Sequence, residues 1–413
     1  MASRSTRLLA CLVVVVGAAL ATPEMASAAG VPAPVPGPKI TVKKSEVAKT
    51  DADVSIAATT RKASTVSAGW LHTCAVTSKA AAICWGYNGY GELGDNTATS
   101  SAAPVAVYGL DHGVKSVTGG FYHSCALTTA GKVWCWGYNG YGALGDGTTT
   151  TSLKPVQVAG IGKAKAVSAG YLHTCALTTK GKVWCWGYNA YGQLGDNTTT
   201  SSTTPVQVYG LSKVSSISTG YEHSCALTSK GKAYCWGYNA YGQLGDNTAT
   251  NSPKPVTVYG MTSGVKALSA GIFTTCGVTS KGAAKCWGYN DYGQLGNNTT
   301  TTSLKPVQVT GLTKKVASVK PSYTHTCAVT KAGKVKCWGY NGYGELGDNT
   351  TTNSLVPVSV YNLDKASKVT LGSNHSCALT AKKAVKCWGY NFYGQLGDNT
   401  TTTSLHPVKV YGF

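Results

Sequence analysis

Seven cysteines recur along this chain fifty or fifty-one residues apart, and that period governs what the chain can fold into. They are Cys74, Cys125, Cys175, Cys225, Cys276, Cys327 and Cys377, and each is followed ten residues later by a partner: Cys84, Cys135, Cys185, Cys235, Cys286, Cys337 and Cys387. The clearest unit, residues 168–211, reads SAGYLHTCALTTKGKVWCWGYNAYGQLGDNTTTSSTTPVQVYGL. A constant period of this length marks a propeller or a solenoid. It overrides the two or three domains that 413 residues would otherwise suggest.

Within one unit, HTCALTT and KVWCWGY flank a lysine–glycine turn and read as a hairpin. KAVSAGY is a short strand ending at glycine, and KPVQV alternates behind a proline, which suits an edge strand. NAYGQLGDNTTTSS is rich in glycine, asparagine and aspartate and reads as a loop. Four strands per unit with no helical period predict an all-β fold, a seven-bladed β-propeller with four-stranded blades. The domain plan is a signal peptide at 1–28, a proline-, lysine- and threonine-rich linker at 29–63 and the propeller at 64–413. The chain starts with a hairpin and ends with the strand HPVKVYGF. The expectation is a ring closed by this C-terminal strand, Pro407 to Phe413 zipping onto the first blade.

The N-terminus carries Arg4 and Arg7, an apolar run from Leu8 to Ala21, and the small-residue site Ala26-Ser27-Ala28. This pattern predicts a secretory leader and a secreted or envelope location; the run is too short to anchor stably in a bilayer. Export provides an oxidising compartment. The turn register sets each cysteine pair directly opposite on adjacent strands, within disulfide reach. Seven local disulfides are therefore expected, with Cys11 leaving in the leader. The competing reading is metal, since His72, Cys74 and Cys84 could share a site. No fourth ligand recurs, and the fifth unit keeps Cys276 and Cys286 with Thr274 in place of the histidine. No metal or cofactor is expected.

The unit GYLHTCALTTKGKVWCWGYNAYGQLGD resembles the regulator of chromosome condensation repeat: G-x-x-H, A-L-T, W-G-x-N and G-Q-L-G recur over residues 64–413. The resemblance implies a seven-bladed propeller. The family's nuclear namesake is an exchange factor for a small GTPase that binds chromatin; an export signal and uniform blade lengths set this chain apart from it. A more distant likeness in design, not in residues, is to the secreted β-lactamase inhibitory propeller, which blocks an enzyme.

No nucleophile elbow, zinc-protease helix, P-loop or C-x-x-C motif occurs. The repeated residues His72, His123, His173, His223, His325 and His375 read as hydrogen-bonded structural groups. Asp95, Asp146, Asp196, Asp246, Asp348 and Asp398 read as Asx turns, with calcium ligation the alternative. The tryptophans after the second cysteine read as packing. Recognition should lie where units differ. The candidate binding residues are Trp70, Tyr122, Tyr171, Glu222 and Phe273 before the histidine position, Asp291 and Phe392 in the Y-N-x-Y loop, and Lys285, Lys336 and Lys386 before the second cysteine. The net charge of +20 favours anionic partners or solubility alone. The function expected is a secreted, monomeric, non-enzymatic module that binds a protein. A carbohydrate or anionic cell-wall polymer is the alternative, and exchange-factor activity a weaker one. Nucleic acid is not expected.

Overall fold

The computed structural model describes residues 61–413. The expected leader at 1–28 and the expected linker up to residue 60 lie outside the described residues. The described chain forms 28 strands in seven four-stranded antiparallel sheets. In the first blade these are β1 (Ala63–Ala68), β2 (His72–Thr77), β3 (Ala82–Gly86) and β4 (Ser101–Ala106), paired in chain order. The same plan repeats six times and ends with β25 (Ala366–Leu371), β26 (His375–Thr380), β27 (Val385–Gly389) and β28 (Ser404–Lys409). The antiparallel alternation sends residues 69–71 and 87–100 to one end of the blade, here the upper face. The turn at 78–81 and the connection at 107–113 go to the lower face.

Burial follows position in the blade. β2 and β3 are covered on both sides by neighbouring blades, so HTCAVT and AICWG are buried throughout. The outer strands are half-exposed, and each carries its proline at the sheet edge, where a missing N–H breaks no ladder. The cysteines oppose each other in register, as Cys175 does Cys185, with Cα atoms 4.1 Å apart and sulfurs bonded at 2.08 Å. The other six pairs repeat this arrangement.

The closure differs from the strand exchange expected. β28 pairs with β27 inside the seventh blade, not with the first. Each PV-x-V strand follows its own hairpin in the chain and completes that blade, so the first hairpin lacks nothing: its outer strand is β4. The C-terminal segment still seals the ring, by packing. Phe413 is fully buried with Val410 and Leu396 against Ala63, Val66 and Trp85. It fills the slot that Leu110 occupies between the first two blades. The Arg61 N–H also donates to the Gly412 carbonyl at 2.8 Å.

What joins blade to blade is a repeated buried relay. A loop carbonyl of one blade accepts two bonds from the next: for Gln193 O, from Ser224 Oγ at 3.0 Å and Trp236 Nε1 at 2.9 Å. His173 of the first blade in that pair reaches the same Ser224 hydroxyl through Nε2 at 2.9 Å. A hydroxyl has one proton, and this one gives it to the carbonyl. It must therefore accept from the ring, which fixes the neutral Nε2–H tautomer. The relay closes the circle, with His375 on Thr73 at 2.9 Å and Trp85 on Gln395 O at 3.0 Å. Close approach requires glycine at the loop: at Gly195 φ is +72°, and a Cβ would sit 2.5 Å from Trp236 Nε1. The fifth blade lacks the histidine, and Thr274 Oγ1 donates instead to the Tyr289 carbonyl of its own blade at 3.0 Å.

All six relay histidines are buried, and burial lowers their pKa, to about 4 for His123 and about 3 for the others. Each Nδ1 is buried without a partner. The repeated aspartates form Asx turns: Asp196 Oδ1 accepts from Thr198 N at 3.1 Å and Asn189 Nδ2 at 3.3 Å.

Candidate functional site

The upper face carries a closed belt of tyrosines. The second tyrosine of each Y-N-x-Y loop meets the first tyrosine of the next blade, ring edge to ring face. Tyr191 lies 4.9 Å from Tyr238, and Tyr393 of the last blade lies 5.1 Å from Tyr87 of the first. The same contact recurs at four of the five remaining junctions, and at the fifth Tyr343 and Tyr390 meet at 5.0 Å with their rings tilted. Edge-to-face rings attract through their quadrupoles, so the belt is a stiff platform rather than fourteen independent side chains.

Inside the belt, the residues that follow the inner strands crowd the mouth of the central channel. Trp70 sits 4.8 Å from Phe121, Phe121 lies 5.0 Å from Tyr221, and Tyr171 stacks on Tyr221 at 4.0 Å. Tyr122 bridges inward and outward, 5.2 Å from Trp70 and 5.5 Å from Tyr90. Phe273 touches Tyr241 at 5.1 Å and Tyr323 at 6.2 Å. The aromatic mouth thus spans blades 1 to 6 and thins out at Ser373 and Asn374 in blade 7. Backbone bonds draw the collar tight: Trp70 N donates to Gly120 O, Phe121 N to Gly170 O and Ser373 N to Trp70 O.

The candidate residues therefore separate into four groups. Trp70, Tyr122, Tyr171 and Phe273 gather at the mouth, while Phe392 and Asp291 stand exposed at the tips of their loops. Glu222 is 1% exposed, and neither carboxyl oxygen has a partner. Burial raises its pKa to about 8, so the group is neutral over most of the physiological range. It faces the interior rather than a partner. Lys285, Lys336 and Lys386 lie on the third strand of their blades, one residue in from its lower end and away from the aromatic face. Lys386 approaches Asp364 at 3.4 Å.

Other groups were not singled out from the sequence. Glu92 and Glu345, in the G-x-L-G loops, are buried, with pKa values raised by burial to about 8 and about 7; Glu345 accepts from Asn374 Nδ2 at 3.1 Å. On the lower side, Tyr108, Tyr209, Tyr259, Tyr361 and Tyr411 are more than half exposed. Lys320 and Lys368 project from inner strands into the channel. Aligning the inner-strand column, which otherwise holds serine or threonine, would have found Lys320. Among the described residues, no group of three histidine, cysteine or acidic side chains is placed to hold a metal.

Known proteins agree with this architecture. The RCC1-like domain matches residues 162–412, and regulator of chromosome condensation (RCC1) repeats match 82–127 and 130–177. The ultraviolet-B receptor UVR8 of Arabidopsis thaliana is 32% identical over 77% of this chain and 51% of its own length. The human E3 ubiquitin-protein ligase HERC2 is 32% identical over 75% of this chain, which spans only 6% of that protein. Among solved structures, Prp20p of Saccharomyces cerevisiae superposes with a TM-score of 0.71 at 21% identity, covering 79% of this chain and 85% of its own. Human WBSCR16 does so with 0.69 at 25%, covering 77% and 86%. With seven blades, a matching domain profile over more than half its length and repeats of the same pattern, the chain belongs to the RCC1-like β-propeller family.

Proposed function

We propose that the protein is an exported, non-enzymatic recognition module that binds a protein partner through its upper face. The observation carrying this reading is the tyrosine belt with the aromatic mouth inside it: a rigid, half-exposed aromatic platform. Large rings on a fixed scaffold give contact area at little entropic cost, which is how binding hot spots are built. The chemistry argues the same way. The buried carboxyls and histidines recur as structural parts. Where a hydroxyl does lie beside a histidine, as Ser224 beside His173, the pair is buried in the inter-blade relay and the hydroxyl spends its proton on a loop carbonyl. The relatives lend support, since Prp20p binds Gsp1p and histones. Exchange activity on a small GTPase is the reading carried only by that likeness.

The test is affinity capture from secreted and envelope fractions, with the mature chain set against a Trp70→Ala, Phe392→Ala, Tyr90→Ala variant that still melts cooperatively. The reading predicts a specific protein retained by the first and lost by the second. Equal retention by both, or nothing specific on either, counts against it. The net charge of +20 favours a second reading, an anionic wall polymer. In that case the target is isolated wall material, and binding falls steeply with salt.

A further inference from the structure

The central channel is lined by the seven inner strands and encloses a cavity of about 330 Å³. Opposite the first cysteine of each blade, these strands carry Ser67, Thr118, Ser168, Ser218, Ser269, Lys320 and Thr370. At five junctions the hydroxyl accepts a backbone N–H of the next blade: Ser67 from Gly119 at 3.2 Å, Thr118 from Ala169 at 3.3 Å, Ser168 from Thr219 at 3.1 Å, Ser218 from Ala270 at 3.0 Å and Thr370 from Ala68 at 2.9 Å. The belt fails at two consecutive junctions. Pro321 has no N–H to offer Ser269, and Lys320, with three donors and no acceptor, cannot receive one. One rung lower, Lys368 stands where the other blades have alanine, serine or threonine, and its Nζ donates to Thr65 Oγ1 at 2.9 Å.

Two ammonium groups from neighbouring blades thus face one narrow space. Among the described residues lining it there is no aspartate, glutamate or histidine. Among the described residues, the Lys320 side chain has no hydrogen-bond or ion-pair partner. Burial pushes its pKa down, and burial together with Lys320 pushes Lys368 down to about 8. The other blades show that serine or threonine serves the architecture better, so the lysines cost stability where they stand. A hydroxyl that accepts a backbone N–H keeps its own proton to donate. The lining is therefore rich in donors and free of carboxylate.

We propose that the channel is an oxyanion site that takes a phosphate group between Lys320 and Lys368, as the free ion or as a phosphomonoester. The dianion that phosphate carries at neutral pH matches the two facing ammonium groups, and charge-assisted bonds to them supply the affinity. The cavity is continuous with the aromatic mouth, since Trp70, Phe121 and Tyr221 also line it, but the two lysines that define the site stand on the inner strands and phosphate can be titrated without the partner of that face.

The experiment is calorimetric titration of the folded protein with inorganic phosphate and, separately, O-phosphoserine, in about 0.15 M chloride to screen exterior lysines. The ¹⁵N-labelled lysine Nζ signals are followed in parallel. The variants are Lys320→Thr and Lys368→Ser, which restore the residue types of other blades and should melt no lower than the parent. Lys285→Ser is the control. Saturable binding is expected, weakened at least ~tenfold by either channel substitution, as loss of one charge-assisted bond requires, abolished by both and unchanged in the control. Binding of phosphate alone identifies the free ion; binding of both probes identifies the monoester group. The proposal is overturned if neither probe binds saturably, or if binding survives the double variant.

Discussion

Acidification should unfold this protein through its six relay histidines. In the native ring each imidazole is a neutral Nε2–H donor with a bare, buried Nδ1, and burial holds the pKa near 3 or 4. In the unfolded chain the value returns to about 6.5. A base with a depressed folded pKa gives stability that is present above the unfolded value and lost as pH falls through the window below it. Between pH 7 and pH 5 the loss is about 2 kcal/mol per ring, or about 11 kcal/mol for six. Three buried carboxyls act in the opposite sense. Glu92, Glu222 and Glu345 have pKa values raised to about 8, 8 and 7, so folding prefers them protonated and acid relieves their cost. Over the same interval they return about 7 kcal/mol, leaving a net loss of about 4 kcal/mol. Below pH 5 the carboxyls are nearly spent and the rings are not, so about 5 kcal/mol more goes by pH 4. Set against a usual stability of about 5–15 kcal/mol, the transition should fall between about pH 4 and 5, with maximal stability near about pH 6.5, where the two sets of protons balance.

The assay is thermal or denaturant unfolding across pH, with imidazole ¹⁵N spectra of the folded state. Those spectra should show six Nε2–H tautomers that do not titrate near neutrality, and unfolding near pH 4.5 should take up about four protons. His173→Thr copies what the fifth blade does with Thr274 and should cut the uptake by about one. Folded-state rings titrating near 6.5, or an acid transition coupled to one proton or fewer, would refute the tautomer argument and the relay with it.

Four further outcomes follow from individual contacts. Trp186→Phe removes the indole N–H that reaches Ala143 O at 2.9 Å; denaturant titration should show a loss of about 1–3 kcal/mol. Phe413→Ala opens the closing junction and should cost about 3 kcal/mol by the same measurement, with early hydrogen exchange confined to blades 1 and 7. Replacing Cys175 and Cys185 together by alanine should cost about 2–3 kcal/mol, because the bridge closes a short hairpin loop in the unfolded chain, and thiol counting on the unreduced parent should find the remaining cysteines of 61–413 bonded. Glu222→Gln removes a group whose folded pKa lies above its unfolded one, a penalty that grows as pH rises from about 4.5. The variant should match the parent at pH 4 and melt higher at pH 8.

The fold was legible because seven copies remove ambiguity that one copy leaves. A single HTCALTT–KVWCWGY pair is only a hairpin; seven in fixed register define a blade, a ring and a set of opposed cysteines. Closure was misread because counting strands leaves open which hairpin each PV-x-V strand pairs with. That is decided by the loop from residue 87 to 100, which folds back on its own blade. The site was legible in part. Variation between units picked out Trp70, Tyr122, Tyr171 and Phe273, which do converge at the channel mouth. It could not tell that Glu222, in the same column, turns inward, because the direction depends on the neighbouring blade. Lys320 and Lys368 carry no functional signal along the chain, because only ring closure makes the inner strands face one another.

The departures that touch the relay histidine, the loop aspartate and the channel lining fall in neighbouring blades. Thr274 replaces the relay histidine in blade 5, Asn297 replaces the loop aspartate there, Pro321 and Lys320 interrupt the hydroxyl belt in blade 6, and Lys368 follows in blade 7. Drift in a ring of near-identical units has no reason to respect adjacency. Thr274 forgoes the histidine–hydroxyl contact, Pro321 and Lys320 forgo the hydroxyl–amide contact, and the two lysines place charge in a lining that is neutral elsewhere. A contiguous sector that is less stabilised and more basic, beside an aromatic mouth centred on blades 1 to 5, gives a symmetric scaffold two distinct chemical sides. A sevenfold ring cannot by itself fix the orientation of an asymmetric partner. These two sides can, one through ring stacking and the other through charge.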